Sequence, residues 1–275
     1  MMKKKKSTKI WMVIVLLLAM VSVAPAATNY WRGNGNGGEW TPAEDTLWNN
    51  ANNWISWPPP TWIPEALVPV AGQRVELNRT GYTTEINSDM DAACWSLHVG
   101  FWGDHTLDVT GGTLGVTGGL MQIGGGTGDN GVVNVSGGSI SIAALFAVGG
   151  LNDQWGNNGG NGILNMSNGS ISVGTNLQIG KYFGTGYVDL SGGVITAASL
   201  EMTANGLLNI TGTGKVVLPG DQTVLANGYI GSGWILGQAD YMTSGEYAGN
   251  TLITPEPATL ALLGMGLVAL LRRKG

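Results

Sequence analysis

Residues 107–124 read LDVTGGTLGVTGGLMQIG, and the same pattern returns three times, altered but aligned, further along the chain. It becomes VNVSGGSISIAALFAVG at 133–149, LNMSNGSISVGTNLQIG at 164–180 and VDLSGGVITAASLEMT at 188–203. A frayed copy, LNITGTGKVVL, follows at 208–218, and an incomplete one ending SLHVG closes at Gly100. Within a copy, apolar and polar residues alternate. Leu107 and Val109 point to one side and Asp108 and Thr110 to the other, as a pleated strand requires. Glycine pairs such as Gly111-Gly112, Gly137-Gly138 and Gly192-Gly193 supply the backbone angles of a tight corner. Successive copies start 26, 31, 24 and 20 residues apart, enough for three short strands and three corners. That is one coil of a parallel β-solenoid, which buries its apolar face only by stacking on neighbouring coils. The expected fold is all-β: a single-stranded parallel β-helix of about five to six coils, three strands per coil.

Composition agrees with this reading. The chain has 275 residues, 46 of them glycine, without the every-third-residue spacing of collagen. Its 43 % hydrophobic content suits a packed core rather than disorder. A lone Cys94 excludes an intramolecular disulfide and reads as a buried apolar filler. Eight of the 13 basic residues lie in the first nine or last four positions. Five then remain against 18 acids, so the stretch 10–271 carries a net −13. A body this acidic repels phosphate backbones, so no nucleic-acid partner is expected.

The two ends read as addresses. Residues 1–26 combine a lysine cluster, an apolar run over 10–23 and small residues at Ala24 and Ala26, the three-part pattern of a secretory signal peptide. At the other end, Pro255-Glu256-Pro257 precedes 14 uncharged residues, 258–271, and then Arg272, Arg273 and Lys274. Such a run is short for a fully spanning helix, and its basic tail fits retention on the cytoplasmic side. Residues 255–275 resemble a PEP-CTERM sorting signal of Gram-negative bacteria. The resemblance implies processing by an exosortase near Pro255-Glu256-Pro257 after a transient inner-membrane stage. It implies delivery to the cell surface or to an extracellular polysaccharide matrix.

Between the addresses, 27–94 holds six of eleven tryptophans (Trp31, Trp40, Trp48, Trp54, Trp57 and Trp62) and reads as an N-terminal cap. Its start resembles that of exported, autotransporter-like β-helix proteins. The repeats are assigned to 95–218 and a C-terminal cap to 219–254. Caps are needed because an open solenoid end exposes apolar core and unpaired strand edges.

Recognisable catalytic spacing is missing. Pectin-type lyases and hydrolases need clustered carboxylates beside a cation, whereas the repeats offer only Lys181 and Lys215. His98 shares an outward slot with Gln122, Ala147, Gln178 and Glu201, and such mixed occupancy reads as a solvated face. No enzyme, cofactor or metal is expected, with an atypical polysaccharide-acting lyase or hydrolase as the alternative. The GGTGDN run at 125–130 occurs once and has Asn130 where a calcium-binding repeat wants aspartate. Asp108, Asn134, Asn165, Asp189 and Asn209 recur at one outward place. They form either a ladder of hydrogen bonds or a regular face for cations or sugar hydroxyls.

The variable inserts all follow the same glycine, so they project from one edge. That edge gathers Phe101, Trp102, Trp155, Tyr182, Phe183 and Tyr187 with Asp104, Asp129 and Asp153. Aromatic surface beside short polar groups suits a glycan-contact strip. Equally, the rings can fold back and seal the corner. The sequence points to an exported structural or adhesive protein with extracellular polysaccharide as partner, and leaves its oligomeric state open.

Overall fold

The computed structural model describes residues 28–31, 48, 54–57, 69–78, 80–150 and 159–257. They form a stack of about six coils, each built from strands on three faces. Face 1 carries β3 (Arg74–Leu77), β6 (Ser96–Val99), β9 (Met121–Ile123) and β12 (Phe146–Val148). Face 2 carries β4 (Tyr82–Ile86), β7 (His105–Val109), β10 (Asn130–Val135), β13 (Asn161–Met166), β15 (Thr185–Leu190) and β17 (Gly206–Ile210). Face 3 carries β5 (Asp91–Cys94), β8 (Thr113–Val116), β11 (Ser139–Ile142) and β18 (Lys215–Pro219). Two longer strands, β14 (Ser170–Ile179) and β16 (Val194–Met202), run from face 3 into face 1, paired with each other on both faces. Faces 1 and 3 therefore belong to one sheet, bent at this corner by a register shift between Val173 and Asn176.

Pairing between coils is parallel and in register, so like stacks on like. Leu107, Val133, Leu164, Val188 and Leu208 form one inward column on face 2, all buried. Leu114, Ile140, Ile171, Ile195 and Val216 form another on face 3. Each such side chain contributes about 1.5–3 kcal/mol by leaving water. Six coils at about 4.8 Å make a body roughly 29 Å long. Cys94 belongs to this core, and burial pushes its thiol pKa up to about 12, which leaves it inert at neutral pH.

The stack begins earlier than the repeat spacing suggests. Residues 74–94, which the sequence groups with the cap, supply β3, β4 and β5, all paired in parallel with coil 2. This coil hides from sequence alignment because its corner is Asn87-Ser88-Asp89 rather than glycine, and Thr84 stands where later coils have Leu or Val. Thr84 is buried, and its hydroxyl lies 3.0 Å from His105 Nε2 in the next coil. Two core polar groups thus satisfy each other.

Beyond coil 1, β1 (Thr28–Trp31) pairs parallel with β3 and antiparallel with β2 (Trp54–Trp57). Trp48 is buried, and its backbone N–H donates to the Glu85 carbonyl on the outer edge of β4. Trp40, Trp62 and the signal segment 1–26 lie outside the described residues.

At the opposite end, the pattern changes from parallel to antiparallel. After β18 the chain forms the helix α1 (Thr223–Gly231), then β19 (Ile235–Leu236), β20 (Gln238–Met242) and β21 (Asn250–Thr254). β19 continues face 2, while β21 lies antiparallel on β18 and β20 antiparallel on β21. Ala226, Ile235 and Ile253 close the apolar interior, with Tyr229 and Trp234 stacked 5.6 Å apart against it.

Candidate functional site

The corner between faces 1 and 2 is where every insert leaves the stack. Gly131, Gly162, Gly186 and Gly206 form one column at the start of the face 2 strands. A Cβ on any of them would meet a backbone atom at 2.2–2.3 Å, closer than real contacts allow. For Gly162 the nearest atoms are the Gly149 nitrogen at 2.3 Å, where the insert departs, and the Ile123 carbonyl of the preceding coil at 2.4 Å. Exit and re-entry backbones therefore touch. An insert of any length is pinched at its base, which lets coil lengths vary without disturbing the strands.

The loops on this base do not present all the expected residues. Phe101 turns inward and is buried, its ring 5.2 Å from His98 and 5.5 Å beneath the Arg74 guanidinium. Trp102 is 63 % exposed, Tyr182 42 % and Phe183 73 %. Trp102 and Tyr182 each stand two residues after a coil-end glycine, Gly100 and Gly180, with φ of 68° and 62°. Among the described residues they alone, glycines aside, adopt the left-handed backbone. Tyr187 is not a loop residue. It lies half-buried on the outer side of face 2, in register with Ile163 and Leu207. Trp155 and Asp153 lie outside the described residues.

The two described acids of this edge, Asp104 and Asp129, are occupied. Asp129 accepts the Trp102 backbone N–H at 2.8 Å through Oδ2 and so fixes the left-handed residue. Asp104 Oδ1 accepts both the backbone N–H and the side-chain amide of Asn130, at 2.8 and 2.9 Å. Short carboxylates reach one coil spacing and are used to tie loops together.

Behind the loops, the outward row of face 1 runs Glu76, His98, Gln122, Ala147, Gln178 and Glu201. The sequence reads this slot as solvated. In fact the first five are buried, and over His98 the covering group is the Phe101 ring, 5.2 Å away. Glu76 pairs with Arg74 at 2.7 Å, and burial raises its pKa despite that partner. His98 Nδ1 lies 3.2 Å from Gln122 Oε1. Farther along, Glu201 accepts from Asn176, Gln178 and Lys181. The two acids stand at opposite ends of the row, about 24 Å apart at five coil steps, too far to work as a pair. Arg74, Glu76 and the burial of this row escape sequence reasoning; the only available signal is an outward slot whose occupants differ from coil to coil.

Face 2 carries the uniform row. Asn165 donates to Asn134 at 2.8 Å and Asn134 to Asp108 at 2.7 Å, while Asn209 donates to Asp189 at 2.9 Å. Each run ends on a carboxylate, which accepts only. Where the two runs meet, Asn165 and Asp189 line a shallow open depression with Ser136, Ser167 and Ser191. Among the described residues, no group of three or more His, Cys, Asp or Glu converges on one point.

The chain leaves the fold at the end of β21. Pro255 is half-buried, and Glu256 and Pro257 are exposed immediately after the last ladder residue, Thr254. A processing motif thus stands free directly beside the cap. Arg272, Arg273 and Lys274 lie outside the described residues, as do both apolar segments, 10–23 and 258–271. Among the described residues no helix is long and apolar enough to cross a membrane.

Residues 254–274 match the PEP-CTERM protein-sorting motif. With the solenoid before it, the motif defines an exported, surface-directed PEP-CTERM protein with a β-helix body, processed by an exosortase. No curated protein and no solved structure matches the chain.

Proposed function

We propose that the protein is a non-catalytic structural or adhesive component of the cell surface or extracellular matrix of a Gram-negative bacterium. It reaches that place through an inner-membrane intermediate, and its edge loops contact extracellular polysaccharide. The observation that supports this is the pair Trp102 and Tyr182. Both rings are offered to solvent from left-handed backbone, a conformation costing about 1–3 kcal/mol for a non-glycine residue. Glycine would relieve that cost; Trp102 recovers part of it against the buried Phe101 ring, yet most of its surface stays open to solvent.

Trp102 belongs to coil 2 and Tyr182 with Phe183 to coil 5, which separates them by about 14 Å along the stack. That span suits an oligosaccharide chain rather than a single sugar. W102G is expected to hold thermal stability within about 1 kcal/mol of the parent, since lost contact with Phe101 and relieved strain offset each other. It should also lower retention on extracellular polysaccharide several-fold in affinity electrophoresis. Unchanged retention in W102G and in a Y182G/F183G variant would overturn the reading. Release of reducing ends or unsaturated products from acidic glycans would favour the enzyme instead.

A further inference from the structure

Four large apolar residues are exposed within one short stretch of the last turn. Val224 (88 % exposed) and Leu225 stand on α1, Leu236 ends β19, and Tyr241 lies on β20. The helix packs on β19 and β20 past the last coil, while Leu236, in register with Asn209, extends the outward row of face 2 to that end. The same end is where the chain departs. The Thr254 carbonyl lies 2.6 Å from where a Cβ on Gly237 would stand, next to Leu236, and Gln238 donates to the Thr254 hydroxyl at 3.3 Å.

Only Pro255, Glu256 and Pro257 separate β21 from the apolar segment 258–271. Three extended residues reach at most about 11 Å. A headgroup layer occupies about 5–8 Å on each side of the hydrocarbon. Fourteen helical residues would cover about 21 Å of a roughly 30 Å core, which draws the preceding residues deeper still. Whatever holds 258–271 in a bilayer therefore holds the cap on the headgroups.

We infer that the C-terminal cap is a membrane-resting surface. Before processing, Val224 and Leu225 of the helix contact lipid, with Leu236 at the rim, and the solenoid stands on its capped end. This rests on the reading that 258–271 enters the membrane. The occupant is lipid and the contact apolar rather than electrostatic, because residues 219–257 hold Asp221, Asp240, Glu246 and Glu256 and no Lys or Arg. Cleavage at the sorting motif would remove the tether and leave this patch as the free end.

The test uses the full chain without residues 1–26, reconstituted in phosphatidylcholine vesicles carrying a nitroxide on the headgroup. Single cysteines at Val224, at Val70 on the opposite end, and at Leu263 take a fluorophore. Native Cys94 stays unlabelled because it is buried and its thiol is held protonated. Headgroup quenching should be several-fold stronger for V224C than for V70C, and L263C should be quenched by a nitroxide deep in the acyl chain. The same contrast should persist in high salt. Strong L263C quenching with V224C no more quenched than V70C would overturn the inference alone. Failure of L263C to be quenched would instead overturn the membrane reading on which it rests.

Discussion

Two outward rows run the length of this solenoid, one strand apart, and they could hardly differ more. On face 2, Asp108, Asn134 and Asn165 repeat one chemistry at half-buried positions, each amide serving the coil before it. On face 1, Glu76, His98, Gln122, Ala147 and Gln178 share a slot but little chemistry, and all are buried. The difference lies in what covers them. Face 2 meets water in every coil, so each coil faces the same problem and solves it with the same residue. Face 1 is covered, over His98 by the Phe101 ring, and its buried groups find different partners: Glu76 has Arg74, His98 has Gln122 and Gln178 has Glu201. Mixed occupancy of an outward slot therefore marks cover, not solvent.

The strongest way to break this contrast is to spoil the corner that separates the two environments. G162A puts a methyl within 2.3–2.4 Å of the Gly149 nitrogen and the Ile123 carbonyl, which cannot swing aside as a side chain would. Overpacking of this kind is expected to cost about 3 kcal/mol, read as a lowered unfolding midpoint in denaturant. A substitution at exposed Gly128, which meets nothing within 4 Å, is the matched control for bulk, although its φ of 88° adds strain of its own.

The rows themselves should respond unequally to deletion of an amide. Q122A removes a buried partner of His98 and should cost about 2 kcal/mol, because water cannot readily replace it. N134A, in the half-buried ladder, should cost about 0.5–1 kcal/mol, since solvent reaches Asp108 and Asn165. Equal costs, measured by the same denaturation, would remove the distinction between covered and open rows.

The smallest effect is one of pH. Burial raises the pKa of Glu76 in the folded chain above the 4.5 of an ordinary glutamate. Between the raised value and 4.5 the folded state binds the extra proton, so stability from this group is complete below 4.5 and is lost as pH rises. E76Q should erase that slope. The difference in unfolding midpoint between parent and E76Q, followed from pH 4 to 8, isolates the group from the other carboxylates.

Much of the fold was legible because a solenoid repeats its constraints. The aligned Gly124, Gly149 and Gly180 and the column from Asp108 to Asn209 gave the register of faces 1 and 2 directly. Coil 1 was not legible, because Thr84 and the Asn87-Ser88-Asp89 corner depart from the pattern and are reconciled only across coils, by His105. The edge was read in part. Trp102, Tyr182 and Phe183 are exposed there, but Phe101 folds inward and Tyr187 belongs to face 2. Asp104 and Asp129 bind the loops to each other, and sequence spacing carries no information on which acceptor a loop amide will find.

An exosortase substrate with this fold is cut at or near its exposed Pro255-Glu256-Pro257 stub. Intact mass of the native protein, taken separately from membrane and matrix fractions, tests it most directly. Release there leaves a matrix species that begins near Ala27 and ends at or near Pro255-Glu256-Pro257. A matrix species that still carries Arg272, Arg273 and Lys274 would contradict it.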